Sequence, residues 1–420
     1  METINQSEIS AFSSLGIAPH LLETLTKYKY TTPTPIQSQA IPVAITGKDV
    51  VGIAQTGTGK TLAFGIPMIQ RLYEMKGRGL VILPTRELAL QVEEALRKIG
   101  AALNLRTAVV IGGASMRTQI IALSRDPHII IATPGRLNDH LEQRNVSLSK
   151  IQIVVLDEAD RMLDMGFAPQ IQRIFHLLPK ERQTMLFSAT MPAEIMKMAA
   201  HHMQLPVRIE VAPQGTTADK VTQEIFVVQK EAKVRLVEKL LQEYNGTTLI
   251  FTRTKHGAKR LTDAIQDMGH TAAEIHSNRS LSQRREALDG FKSGKYRVLI
   301  ATDIASRGID VTGIELVLNF DLPTNTEDYV HRIGRTARAG AGGHAISFAM
   351  PDQRKDLRDI ERLVKKTLPI SPLPELPPAR ASHHIVQPEQ RPRFFRNTRG
   401  VSRRPSTQAA PRHRRRSYNS

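Results

Sequence analysis

The most regular feature of the chain is the recurrence of short apolar runs. Between Asp49 and Val211 the segments DVVGIA, GLVILPT, TAVVIGG, HIIIATP, IQIVVLDE and TMLFSAT each set a block of aliphatic residues between polar or turn-forming ones. Runs of this length without polar alternation predict strands buried on both faces. Longer stretches with helical spacing, such as RELALQVEEALRKIG, lie between several of them. Strands alternating with helices build a parallel sheet from βαβ units. After the turn-rich APQGTTADK (Ala212–Lys220) the rhythm restarts with TQEIFVVQ, TTLIFTRT, TAAEIHS, YRVLIATD, IELVLNF and HAISFAM. The pattern predicts two α/β parallel-sheet domains, 41–211 and 222–370, with a linker at 212–221 and an N-terminal flank at 1–40. No repeat of fixed period relates the halves, so any kinship between them is architectural. A charged helix near Asp352–Lys366 and the Pro-rich SPLPELPP close the second domain.

Composition narrows the class. The chain of 420 residues has 40% apolar residues, enough for two cores, and no cysteine, which excludes disulfides and Cys-based metal sites. No 18-residue apolar run and no secretory leader pattern is present, so a membrane-free, cytoplasmic protein is expected. The net charge of +18 is uneven: Leu376 to Ser420 holds eleven Arg and one Glu. That tail (371–420), rich in Pro, Ser, Gln and His, is expected to be disordered. With Phe394, Phe395 and Tyr418 among the arginines, it suits nucleic-acid contact better than a merely solubilising role. The fourteen His are scattered, and the pairs His201-His202 and His383-His384 lack partners at metal-ligand spacing.

Two motifs carry chemistry. AQTGTGKT (Ala54–Thr61) follows the strand DVVGIA and precedes a helical stretch, which is the context of a nucleotide phosphate loop. Thr56, Gly57, Thr58 and Gly59 would wrap the phosphate chain at a helix N-terminus. Lys60 can reach the terminal phosphates, and the Thr61 hydroxyl can ligate Mg²⁺. In IVVLDEAD the run Ile153–Leu156 ends in Asp157 and Glu158. Carboxylates at the end of a buried strand are costly without a partner. Phosphate-loop enzymes hold Mg²⁺ with such an acid, so Asp157 is assigned to the metal and Glu158 to the attacking water.

Taken together, these motifs resemble the DEAD-box ATP-dependent RNA helicases of superfamily two. TPTPIQ (Thr32–Gln37), AQTGTGKT, PTRELA (Pro84–Ala89), GG (Gly112–Gly113), TPGR (Thr133–Arg136), DEAD (Asp157–Asp160) and SAT (Ser188–Thr190) occur in the family's order. IFTRT (Ile250–Thr254), ATDIASRGID (Ala301–Asp310) and HRIGRTARAG (His331–Gly340) follow. The wording is most similar to the bacterial RhlE-like subgroup. The resemblance implies two RecA-like domains, ATP and Mg²⁺ as nucleotide and metal, and RNA as partner. It implies that Gln37 reads the adenine edge, Phe12 stacks on the base and Asp310 binds the ribose. Arg335 and Arg338 would act as arginine fingers, with His331 and Arg332 touching the nucleotide and the acidic strand end. Asp160, Ser188 and Thr190 would couple the nucleotide to the RNA side. Thr85, Arg86, Gly112, Gly113, Thr133, Gly135 and Arg136 would hold RNA phosphates in the first domain, and Thr252, Arg253, Arg284 and Thr302 in the second. Such groups position a backbone without reading sequence.

Lys29, Leu281 and Ala337 depart from common family residues (Gly, Gln and Gly), and none removes a hydrolytic group. The function expected is ATP hydrolysis coupled to local separation of short RNA duplexes or remodelling of RNA–protein complexes, by a monomer working with ribosome-assembly or RNA-decay proteins. An ATP-gated RNA clamp or scaffold would use the same residues; against a DNA helicase of the superfamily, the DEAD and SAT spellings with Gln37 point toward RNA, although 2′-hydroxyl discrimination is not visible in residue letters.

Overall fold

A computed structural model describes residues 11–55, 57–211, 221–303, 311, 313–336 and 343–378. Residues 379–420 of the tail, most of the linker, and Thr56, Asp310, Ala337 and Arg338 lie outside the described residues, whereas 371–378, expected as tail, begin in strand pairing at Ser371 and pack Leu376 on the second domain.

Strands β1 (Val50–Ile53), β2 (Arg78–Ile82), β3 (Thr107–Val110), β4 (Ile129–Ala132), β5 (Ile151–Asp157), β6 (Gln183–Ser188) and β7 (Val207–Glu210) form one sheet. Its order is β3-β4-β2-β5-β6-β1-β7. Strands β8 (Val221–Val227), β9 (Thr248–Phe251), β10 (Ala272–Ile275), β11 (Val298–Ala301), β12 (Leu316–Asn319), β13 (Gly343–Ala349) and β14 (Ile370–Ser371) form the other, ordered β10-β11-β9-β12-β13-β8-β14. Every pairing is parallel. Subtracting seven from each label of the second order reproduces the first, so the halves share one topology without a shared sequence period. This is the two-domain RecA-like α/β fold that the resemblance implied.

The twelve apolar runs all become strands, and the two strands without such a run are β7 and β14. Both lie at sheet edges, where one flank is unpaired and an unbroken hydrophobic run is not required. In β7 only Ile209 is buried, and β14 is two residues long. Interior strands such as β1, β4 and β6 are buried throughout.

The helices used below are α1 (Pro35–Ile45), α2 (Lys60–Met75), α3 (Arg86–Ile99), α4 (Met116–Ser124), α5 (Pro134–Glu142) and α6 (Ala159–Asp164) around the first sheet. Around the second are α7 (Leu281–Lys292), α8 (Thr326–Ile333) and α9 (Arg354–Val364). Apolar clusters fill both faces of each sheet, so strand ends, not faces, are left for chemistry.

Candidate active site

The phosphate loop leaves β1 and enters α2 through Gly57 and Gly59, at φ +85° and +88°. A side chain at Gly59 would also collide with the Gln37 amide. Gln37 closes a capping box at the start of α1: Thr34 N donates to its Oε1 at 2.9 Å. Its Nε2 donates to Gly59 O at 3.0 Å, so this side chain ties the N-terminal flank to the phosphate loop. Each end of the amide keeps one further bonding position. Phe12 is only 1% exposed and belongs to the first-domain core, so in this conformation no open ring face awaits a base.

At the end of β5, Asp157 is 2% exposed and burial pushes its carboxyl up to about 6; Lys60 opposes this and Glu158 reinforces it. Lys60 Nζ lies 4.0 Å from Asp157 Oδ1 and donates to Ala54 O at 3.0 Å. A buried carboxylate whose charge is so incompletely answered is a fitting oxygen donor for a hard cation, and Thr61 heads α2 behind the loop. Glu158 sits in the left-handed region at φ +55°, a conformation kept by a non-glycine residue where strain serves a site. Burial alone would raise its carboxyl, but Arg161, Lys60 and Arg335 outweigh burial and hold it below the usual range. Arg161 Nη1 donates to Glu158 Oε2 at 3.1 Å, fully buried. Sequence reasoning misses Arg161; its place three residues after Glu158 on a helix is the available signal.

The DEAD and SAT segments touch. Asp160 Oδ2 accepts from Ala189 N at 3.1 Å, Thr190 N at 2.8 Å and Thr190 Oγ1 at 2.9 Å, while Asp160 N donates to Ser188 Oγ at 3.2 Å. A carboxylate with several donors is a strong joint.

The second sheet contributes α8. His331 carries a pKa well below the ordinary value: burial lowers it first, Arg161 lowers it further, and Glu158 opposes. It is therefore a neutral imidazole. Arg335, buried, donates through Nε to His331 O at 3.2 Å and helps to hold Glu158 charged. Groups from both domains thus share one electrostatic site.

Arg332 is a correction. The expected contact with nucleotide and acidic strand end is replaced by bonds within the second domain. Its guanidinium pairs with Asp303 through Nε at 2.6 Å and Nη2 at 2.7 Å, and Nη1 donates to Asn319 Oδ1 at 3.0 Å and Asp321 O at 2.7 Å. A buried guanidinium with this many donors engaged is committed to its own domain. Sequence reasoning also misses Asp303, Asn319 and Asp321. Asp321, whose carbonyl accepts from Arg332, also accepts from Arg253 N at 3.0 Å and pairs with Lys233 at 2.9 Å, joining α8 to the IFTRT segment.

The expected phosphate-holding residues cluster at strand ends. Thr85 caps α3, accepting from Leu88 N at 3.3 Å. The Arg86 guanidinium lies against the Gly112-Gly113 turn, where Gly113 has φ +75° and a side chain would strike that guanidinium. Arg136 approaches Ala114 O at 3.5 Å, next to the same turn. Thr133 precedes α5, and Gly135 faces open space. In the second domain Arg253 is exposed, Thr302 N donates to Ile275 O at 3.3 Å, and Thr252 is buried, its hydroxyl donating to Thr254 O at 3.3 Å. Arg284 departs from expectation: it is buried and its Nη2 pairs with Glu87 Oε2 of the first domain at 2.8 Å.

A family profile described as DEAD/DEAH box helicase matches residues 34–198, and one described as helicase conserved C-terminal domain matches 232–340. The ATP-dependent rRNA helicase RRP3 of Yarrowia lipolytica is 42% identical over 373 residues, covering 88% of this chain and 78% of that protein. The chain belongs to the DEAD-box RNA helicase family. Its activity is that of an ATP-dependent RNA helicase, an RNA-stimulated ATPase. Among solved structures, S. cerevisiae Dbp5 bound to RNA and ADP BeF3 is 30% identical, with a TM-score of 0.78 over 86% of this chain and 96% of that one. A point variant of Dbp5 bound to Nup159, a Gle1 variant, IP6 and ADP, with the same coverage, scores 0.58 at 29% identity. None of the relatives described here supports the bacterial RhlE-like subgroup.

Proposed function

We propose that the helicase hydrolyses ATP only when its two domains close around the nucleotide and RNA. The observation that carries this reading is the setting of buried Glu158, paired with Arg161 at 3.1 Å and with Lys60 nearby in the first domain, and held charged in part by buried Arg335 of the second. Lys60 and the loop Thr56–Gly59 bind the phosphates, and Gln37 reports the adenine site to Gly59. Thr61 and Asp157 would hold Mg²⁺, which would neutralise phosphate charge when bound. Glu158, charged at neutral pH, orients the attacking water. Arg335, with Arg338, meets the charge that develops on the transferred phosphoryl group, and the products are ADP and phosphate. Asp160 relays the state of the β5 end to Ser188 and Thr190. Thr85, Arg86, Gly112, Gly113, Thr133, Gly135 and Arg136 hold RNA phosphates in the first domain, with Thr252, Arg253 and Thr302 in the second.

The same reading has the Arg-rich tail tether RNA, beside domains at 41–211 and 222–370. The relatives' names point to ribosomal RNA and hence ribosome assembly as the field of work, ahead of RNA decay. A monomer acting in the cytoplasm completes the proposal. The test is steady-state ATP hydrolysis without nucleic acid, with single-stranded RNA and with DNA of matching sequence. Stimulation by RNA alone is expected; equal stimulation by DNA would refute the substrate assignment. Truncation before Ser371 is expected to weaken RNA binding and flatten its salt dependence. An unchanged slope would remove the tail from the RNA site.

A further inference from the structure

Helix α7 of the second domain lies against α3 of the first. Leu281 stands at the first position of α7 and packs against the first-domain apolar cluster that includes Leu88 and borders Leu90. One turn later, Arg284 forms its buried ion pair with Glu87, the second residue of α3. The two helices also line opposite walls of a cleft of about 280 Å³, with Glu87, Leu90 and Gln91 on one side and Leu281, Leu288 and Lys292 on the other. An apolar contact and a desolvated ion pair one helical turn apart make a small two-point interface, outside the nucleotide cleft. Both points exist only while the domains are together, so their free energy acts on the open–closed equilibrium and on nothing else.

We propose that Leu281, Arg284 and Glu87 form an interdomain clasp whose residues position the domains for hydrolysis, and that Leu281 sets how much RNA the enzyme needs in order to close. Leu281 stands where many family members carry Gln. A polar amide there would add little to closure, whereas a half-buried leucine packed on the first-domain cluster, across the cleft from Leu90, adds an apolar contact that the open state lacks. This enzyme therefore draws part of its closure from the protein itself and correspondingly less from RNA. Arg284 acts through Glu87, not through an RNA phosphate. The inference rests on the reading that the closed arrangement is the hydrolytic one.

The chain has no cysteine, so two introduced at exposed positions, Ser124→Cys and Arg260→Cys, accept a donor and an acceptor dye cleanly. Energy transfer in the full-length protein is read with a non-hydrolysable ATP analogue, with and without polyuridylate, alongside RNA-stimulated ATPase. For Leu281→Gln we expect a lower closed fraction with the analogue alone. The RNA concentration for half-maximal ATPase should rise about fivefold to tenfold, in the usual range of coupling between sites. The rate at saturating RNA should stay within about twofold, because mass action restores the closed state. Glu87→Arg and Arg284→Glu should each show the same split, and the double exchange should recover part of the loss. An unchanged half-saturation in Leu281→Gln, or a loss confined to the saturated rate, would overturn the clasp. So would nucleotide-free RNA binding that Arg284→Glu weakens but Glu87→Arg leaves intact, since Arg284 would then be an RNA contact. Wild-type protein that never responds to RNA would instead refute the underlying reading.

Discussion

The two sheets have the same strand order and opposite electrostatics at the strand ends that matter. In the first domain the end of β5 carries Asp157, buried, pushed up to about 6, with its nearest cation, Lys60, at 4.0 Å. In the second, just beyond β11, Asp303 is clamped by Arg332 at 2.6 and 2.7 Å. One carboxylate accepts a backbone bond from Glu158 N at 3.0 Å but has no close cation, and the other is paired with a guanidinium through both oxygens. The difference teaches what topology does not: the first domain stores an incompletely compensated negative site suited to a metal–nucleotide complex, and the second is braced so that Arg335, in the turn after α8, can be presented to it. Fold duplication supplied two frames, and the placement of a few charges made one a receptor and the other a donor.

The sharpest way to break that division of labour is to remove the cation that the second domain presents. Arg335→Ala should lower the RNA-stimulated rate by about 10³–10⁵-fold, the scale of an arginine finger. ATP binding, followed by a fluorescent analogue, should persist through the phosphate loop. A loss of only a fewfold would mean that Arg335 shapes the Glu158 field without meeting the phosphoryl group. Glu158→Gln removes the acid on the other side and should cost roughly 10²–10⁴-fold in rate, the range for a positioned acid–base group. The variant keeps the shape and loses only the charge. Full turnover by Glu158→Gln would place water activation elsewhere.

Much of this is legible in the sequence, for physical reasons that also explain the rest. Interior parallel strands must be apolar on both faces, so IVVL and VLIA declare themselves, whereas β7 and β14, at edges, carry no such constraint. Residues fixed by local backbone chemistry are readable too. Gly57 and Gly59 take up positive φ, and Asp160 lies close to the strand end where SAT can reach it. What sequence leaves open are partners distant along the chain. A basic residue in a helicase suits a phosphate, which sends Arg284 to RNA, but Glu87, nearly two hundred residues earlier, claims it. The neighbours of Arg332 in HRIGR point it at the nucleotide, but its direction on α8 takes it to Asp303 and Asn319. Phe12 reads as a stacking aromatic and is sunk in the core. A side chain's type is visible in the sequence; its direction is not.

Stability measurements set the two carboxylates directly against each other. Asp303→Asn should destabilise the second domain by about 3 kcal/mol, because it leaves a buried guanidinium without its countercharge. That loss is to be read as a lowered denaturation midpoint in urea at constant slope.

Asp157→Asn should act with the opposite sign. A carboxyl raised from its ordinary 3.8 to about 6 binds its proton more tightly folded than unfolded. Its contribution to stability is therefore present at low pH and is lost as pH rises from about 4 to 6. At neutral pH the buried charge costs the nucleotide-free protein on the order of 2–3 kcal/mol, which an amide of the same shape escapes. We expect Asp157→Asn to melt higher than wild type at pH 7.5, with the gap closing as pH falls towards 4, and to gain far less from ATP and Mg²⁺. A variant that melts lower than wild type at pH 7.5 would show that Lys60 already satisfies Asp157, and the contrast between the two strand ends would disappear.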